Sequence, residues 1–151
     1  MLAELETTTE YGLPAGYTLR GATLDDLPDA VAMFNAISQQ TLGVNEFNVE
    51  TYRPEWAVPD LNLPEYVRVV RAAEGQIAGC VEVWDLFEPH TRVNVWIKVH
   101  PEHQGRGIEA ALLRFAEDKA RQSAIPRAPA ETRVSAVGWS NDREVTANAA
   151  Y

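Results

Sequence analysis

Val95-Trp96-Ile97-Lys98-Val99-His100-Pro101-Glu102-His103-Gln104-Gly105-Arg106-Gly107-Ile108, continued by Glu109-Ala110-Ala111-Leu112-Leu113, reads as a strand, a sharp turn and a helix that starts on two glycines. Val93, Val95, Ile97 and Val99 alternate with Arg92, Asn94, Trp96 and Lys98, the period-two pattern of a strand. Pro101 cannot donate to a ladder and marks the strand's end. Ile108, Ala111, Leu112 and Phe115 then fall at i, i+3, i+4 and i+7, one face of a helix. The glycines therefore stand at a helix N-terminus, where unpaired N–H groups and the positive end of the helix dipole favour a phosphate. Lacking Cβ atoms, they let a ligand approach the backbone closely.

Two nucleotide-binding readings fail on the sequence. A Walker loop ends in Gly-Lys-Ser/Thr, and this turn has no such ending. Gly105-x-Gly107-x-x-Ala110 has the spacing of a dinucleotide fingerprint, but that fingerprint opens a first βαβ unit and is followed by an acidic residue closing the next strand. Here the turn comes late in the chain, and Glu131 precedes a strand instead of ending one. A glycine turn of some other α/β domain, with no ligand, stays open.

The segment resembles motif A of the GNAT superfamily, the GCN5-related N-acetyltransferases, whose signature is Gln/Arg-x-x-Gly-x-Gly/Ala after a Val-x-Pro strand end. Val99-His100-Pro101, Gln104 and Gly107 match it, whereas Glu109 stands where the family has a final Gly or Ala. The resemblance implies that the backbone of Gln104, Gly105, Arg106, Gly107, Ile108 and Glu109 cradles the pyrophosphate of acetyl-CoA. It also implies that Ile97, Lys98 and Val99 hydrogen-bond the pantetheine arm like an added strand, on a strand that bulges and splays from its neighbour. Acetyl-CoA is the expected cosubstrate, and no metal is expected. His90, His100 and His103 have no spacing of a known ligand set.

The 151 residues suit one domain with a real core, and 46% hydrophobic and 23% charged residues are ordinary for a globular protein. No apolar run approaches a membrane span. The first 16 residues carry Glu4, Glu6 and Glu10 and no basic apolar leader, so they read as a flexible or loosely docked leader and not a signal peptide. Cys80, the only cysteine, reads as a packed thiol in an apolar strand and excludes an internal disulfide. Together these point to the cytoplasm. A net charge of −9 disfavours nucleic acid, and a negative surface would steer cationic acceptors such as amines.

The expected elements run as follows: a strand over residues 17–22; a helix after the capping-box-like Thr23-Leu24-Asp25-Asp26; and an irregular stretch, 38–63, with a short helix near Val49–Trp56 broken by Pro54. A hairpin of strands 66–72 and 76–85 follows, then the glycine-turn strand, the motif helix to about Gln122, a loop over 123–131, a strand over 132–138 and a helix from Asp142 to Tyr151. This β-α-(α)-β-β-β-α-β-α order is an α+β pattern with a mixed sheet. It matches the GNAT-like acyl-CoA N-acyltransferase fold over 17–151, lacking the family's last β-hairpin. A C-terminally incomplete domain of this kind, with an open strand edge, predicts a homodimer, a swap, poor stability, or a second GNAT module as partner.

Acetyl transfer from a thioester to an amine needs a base for the amine proton, a donor for the carbonyl oxygen and a proton for the leaving thiolate. By the resemblance, the Val99 amide polarises the carbonyl and Tyr151 protonates the thiolate. Ala147 and Tyr151 match the family's Ala-x-x-x-Tyr helix, but its usual Asn is displaced: Glu144 holds that position, with Asn141, counted among the cofactor contacts, and Asn148 to either side. Base candidates are Glu82, Asp85, Glu88 and His90, expected as loop or edge charges around the hairpin. Trp84, Trp96 and Trp139 are expected as core or cleft lining, and Trp56 with 38–63 as part of the acceptor wall. The expected activity is direct N-acetyl transfer to a small-molecule or peptide amine, with no nucleic acid or membrane involved. The alternative is a non-catalytic GNAT-like module that binds CoA weakly or not at all.

Overall fold

The computed structural model describes residues 10–138. Its centre is a five-stranded sheet in the order β1 (Thr18–Gly21), β2 (Val67–Arg71), β3 (Ile77–Trp84), β4 (Arg92–Val99), β5 (Ser135–Gly138). The first three neighbouring pairs are antiparallel, and β4–β5 is parallel. Short connections allow the antiparallel hairpins, whereas a parallel neighbour needs a crossover, here the helix after the glycine turn. The mixed sheet is the one the strand order predicts.

The helices are α1 (Leu27–Leu42), α2 (Val49–Trp56), the one-turn α3 (Leu63–Tyr66), α4 (Ile108–Lys119) and the short α5 (Ile125–Arg127). They cover both faces. Val81, Val83, Val95, Ile97, Leu112 and Phe115 form one core between the sheet and α4. Leu27, Phe34, Ile37, Trp56, Val69 and Cys80 form the other, beneath α1 and α2. Each fully buried aliphatic side chain of this kind, such as Leu112, contributes about 1.5–3 kcal/mol. The two faces follow from strand alternation: Val81 and Val83 face α4, and Cys80 faces α1.

The N-terminal cap of the first helical segment forms as expected. Asp26 accepts the Thr23 backbone N–H at 2.9 Å, and the Arg20 and Arg71 guanidiniums close on the same carboxylate. Burial opposes the charge of Asp26, but these hydrogen bonds and the Arg20 charge outweigh it and hold the carboxyl well below the usual range.

Three local expectations are corrected. Pro54 does not break α2, which runs through it from an N-cap at Asn48, whose side chain accepts the Glu50 N–H at 2.8 Å. Packing of Trp56, buried to 1% exposure, outweighs the one backbone bond a proline removes. The loop over 123–131 is partly helical: α4 passes through a wider π-type turn, Ala120–Ala124, into α5, where Pro126 occupies a first-turn position. The bulge expected in β4 is absent, since its pairing with β3 is continuous from Gly79↔Val99 to Trp84↔Asn94. The sheet's register shift lies between β2 and β3, at Val70/Arg71.

Residues 10–16, expected as part of the leader, pack against α4: Leu13 is buried, the Tyr11 ring meets Phe115 edge-on at 5.7 Å, and Arg114 donates to the Tyr11 carbonyl at 2.7 Å. Among the described residues no helix is long and apolar enough to cross a membrane.

Candidate active site

Two features converge around β4. The first is the turn between β4 and α4. Gly105 (φ 75°) and Gly107 (φ 94°) hold left-handed conformations that favour glycine, and they bend the chain so that α4 starts at Ile108. The helix seats close against the sheet because Gly79 of β3 lacks a side chain: a Cβ there would lie 3.0 Å from Ile108 Cγ2 and 3.2 Å from Leu112 Cδ1. Inside the turn, Gly105 N–H donates to Glu109 Oε1 at 3.3 Å, and Glu109 is only 6% exposed. Gln104 Nε2 folds back onto the Val99 carbonyl at 3.2 Å, and Arg106 donates to the Tyr17 hydroxyl at 3.1 Å.

The backbone of β4 next to this turn has a defined parity. His100 N–H donates to Ala78 O at 2.8 Å, so His100 and every second residue back, Lys98 and Trp96 included, bond to β3. The N–H and C=O groups of Ile97 and Val99 therefore face away from β3, as Thr91 O does in accepting from Ser135 of the β5 side at 2.9 Å. The described β4–β5 ladder runs from Arg92↔Ser135 to Val95↔Gly138.

The second feature is a cleft of about 540 Å³ on the α1/α2 face of the sheet, walled by Phe47, Tyr52, Trp84 and Trp96, with Glu82 and Asn94 on the strands. A narrower recess continues inward past Phe34 and Lys98. Glu82 opposes Trp96 in the β3–β4 register. It is not the edge charge expected of it but is buried to 3% exposure. Tyr52 Oη donates to its carboxylate at 2.7 Å, and Trp56 Nε1 donates to the same group. Burial pushes the Glu82 carboxyl above the usual range, although the bonds from Trp56 and Tyr52 counter it. Burial and the Glu82 charge push the Tyr52 hydroxyl up in turn. Two neutral donors on one helix thus fix a carboxylate at the bottom of an aromatic cleft.

The other expected base residues lie elsewhere. Asp85 follows Val81 and Val83 to the α4 face, where it is fully buried and paired with Arg127 of α5; it does not line the cleft. His90 Nδ1 contacts the Asp85 carbonyl at 2.8 Å, and Glu88 is an exposed loop residue. Cys80 is a packed thiol, its pKa raised by burial. Trp84 and Trp96 line the cleft as expected, and Trp56 supports Glu82 from α2. Tyr151, Asn141 and Trp139 lie outside the described residues. Sequence reading missed Tyr52, whose placement one turn before Trp56 on α2 was the available signal, and the buried Tyr17–His103 pair beside the turn (Oη to Nδ1, 2.8 Å).

Residues 31–137 match the sequence profile of the acetyltransferase (GNAT) family. No curated protein sequence matches the chain significantly. Among solved structures, it is similar to a GCN5-related N-acetyltransferase from Sphaerobacter thermophilus, at 22% identity and a TM-score of 0.81, covering 91% of this chain and 42% of that one. It is also similar to yncA of Salmonella typhimurium, solved with its cofactor acetyl-CoA, at 19% identity and a TM-score of 0.68 over 89% of this chain and 76% of that one. A ribosomal-protein-alanine N-acetyltransferase from Brucella melitensis biovar Abortus 2308 resembles it at 21% identity and a TM-score of 0.60, over 89% and 88%. The chain thus spans less than half the length of the Sphaerobacter protein. These likenesses support the fold, and the profile match spans well over half of the sequence: this chain belongs to the acetyltransferase (GNAT) family.

Proposed function

We propose that the chain is an N-acetyltransferase module that moves an acetyl group from acetyl-CoA to an amine by direct transfer, and that it works in the cytoplasm. The observation that carries this reading is the two-glycine turn at the start of α4, directly after a strand whose Ile97 and Val99 backbone groups face away from β3. Such a turn offers amides and a helix dipole to a pyrophosphate, and such a strand end offers a ladder to the amides of a pantetheine arm. Gln104, Gly105, Arg106, Gly107 and Ile108 fit that role. Two contacts must give way to the ligand: the Glu109 carboxylate takes the Gly105 N–H, and Gln104 Nε2 donates to the Val99 carbonyl.

In this reading Glu82 accepts the proton of the attacking amine. Its buried, doubly hydrogen-bonded position supports the role, and a carboxyl pKa raised by burial suits a general base. The Val99 N–H stabilises the carbonyl oxygen as it gains charge. Tyr151 supplies the proton to the leaving sulfur and Asn141 adds a cofactor contact. Asp85 is a weaker base candidate, since Arg127 holds it on the other face. Thiol release from acetyl-CoA in the presence of an amine panel tests the reading: amine-dependent release, lost in Glu82→Gln, is expected, and no release with any amine contradicts it.

A non-catalytic GNAT-like module is the second reading, favoured by Glu109 occupying the turn. Direct titration with acetyl-CoA separates the two.

A further inference from the structure

The charges and rings of the cleft constrain the amine, and the constraint rests on the acetyltransferase reading only for which group reacts. Beyond the walls already described, the mouth carries Glu55 and Asp60, both exposed, and Phe87, which leaves 66% of its surface in solvent. Among the described residues, every ionisable acid or base lining the larger cleft other than a tyrosine is a carboxylate: Glu55, Asp60 and Glu82. Lys98 contributes only to the inner recess, where its ammonium lies 5.9 Å from the Trp96 ring centroid. An acceptor that carries its own carboxylate or phosphate would need a guanidinium or ammonium to receive it; among the described residues the larger cleft provides none, and the ammonium of the inner recess, Lys98, already acts on the Glu82 charge. A cation is instead drawn in by the two mouth carboxylates and held over aromatic faces. Those faces are also broad enough to cover a flat apolar body, which the exposed Phe87 and the 38% exposed Trp96 otherwise present to water.

We infer that the acceptor is a primary amine on an aromatic or extended apolar body with no carboxylate or phosphate of its own, an arylalkylamine in chemical class. The ammonium enters past Glu55 and Asp60, the body packs between Trp84, Trp96 and Phe87, and the amine meets Glu82 at the bottom. There the Glu82 carboxylate takes one ammonium proton and frees the nitrogen lone pair; the new N–C bond forms as the C–S bond breaks, the electron pair leaves on sulfur, and the nitrogen's second proton offsets the one the sulfur takes up.

The test pairs amines with their α-carboxylated counterparts: phenethylamine against phenylalanine, and tryptamine against tryptophan, with butylamine as an aliphatic control. Two readouts are used. Binding to the protein alone, by calorimetry, does not require acetyl-CoA and so tests the acceptor class even if the transferase reading fails. Turnover with acetyl-CoA tests both. The expected result is binding and kcat/KM at least about tenfold better for each arylalkylamine than for its amino acid and for butylamine. Glu55→Gln and Asp60→Asn should each weaken amine binding about two- to fivefold, through KM and not kcat, with a smaller effect at high salt. Equal or better binding of phenylalanine and tryptophan would overturn the proposal, as would amine binding that Glu55→Gln/Asp60→Asn leaves unchanged.

Discussion

Glu109 reaches back over one turn of α4 to accept the Gly105 N–H at 3.3 Å, so a carboxylate sits inside the glycine turn, at the positive end of the helix. In the empty protein the contact is favourable, because it satisfies an amide and the dipole together. Toward a pyrophosphate it is unfavourable. Two charges about 6–8 Å apart at an effective dielectric of about 20–40 repel by about 1–3 kcal/mol. Glu109→Gln, which keeps the shape, and Glu109→Gly, which restores the family residue, should both tighten acetyl-CoA binding about tenfold in a calorimetric titration. Unchanged affinity in both would mean that the side chain swings away from the turn at no cost.

Tyr52 and Trp56 each stabilise the ionised form of Glu82, so losing one must raise the Glu82 pKa further. The proposed base works only when ionised. Tyr52→Phe should therefore shift the acidic limb of the kcat/KM profile to higher pH and leave the plateau largely intact, so that activity lost near neutrality returns in alkali. Glu82→Gln should instead lower kcat/KM about 10²- to 10⁴-fold with no such limb. A Tyr52→Phe profile that only drops, without moving along the pH axis, would assign Tyr52 to packing alone.

The contrast between Glu82 and its neighbours measures how far the sequence could be read. The glycine turn, the alternation of Arg92–Val99 and the α4 stripe were legible because each is local, with period and punctuation lying within a dozen residues. The difference between Glu82 and Asp85 was not. Both sit near the end of β3, but strand parity sends Glu82 to Tyr52 and Trp56, residues 30 and 26 positions away, and Asp85 to Arg127, 42 away. Partners that distant leave no periodic trace. The persistence of α2 through Pro54 was hidden for the same reason, since it depends on the burial of Trp56 under α1 and the sheet. The continuity of the β3–β4 register could not be seen either, because the bulge expected there came from family resemblance and not from these residues.

Asp85 has no exposed surface, and its Oδ2 has no hydrogen-bond partner among the described residues, so Arg127 is its main compensation there. Arg127→Ala should destabilise the protein by about 2–4 kcal/mol in urea unfolding, because it leaves a charge buried and unpaired. Adding Asp85→Asn to that variant should recover much of the loss, a coupling that independent sites would not show.

Asp26 makes stability depend on acid in a defined direction. Its folded pKa is depressed by Arg20, Thr23 and Arg71. The stabilisation it gives is thus present above the unfolded value of about 3.9 and is lost as pH falls through the lower folded value. Asp26→Asn should cost about 1–3 kcal/mol at neutral pH and noticeably less near pH 3. Thermal unfolding of both proteins from pH 3 to 7 checks this. A stability difference that stays constant across that range would remove the charge from the explanation.

The central claim is that the turn from Gln104 to Ile108 is an acyl-CoA site. Calorimetric titration of the protein with acetyl-CoA, with NAD as control, tests it most directly. Saturable micromolar acetyl-CoA binding, tightened by Glu109→Gly and without NAD binding, is the predicted result. No acetyl-CoA binding by the natural sequence or by Glu109→Gly would contradict the claim and leave a family member that has kept the fold without the ligand.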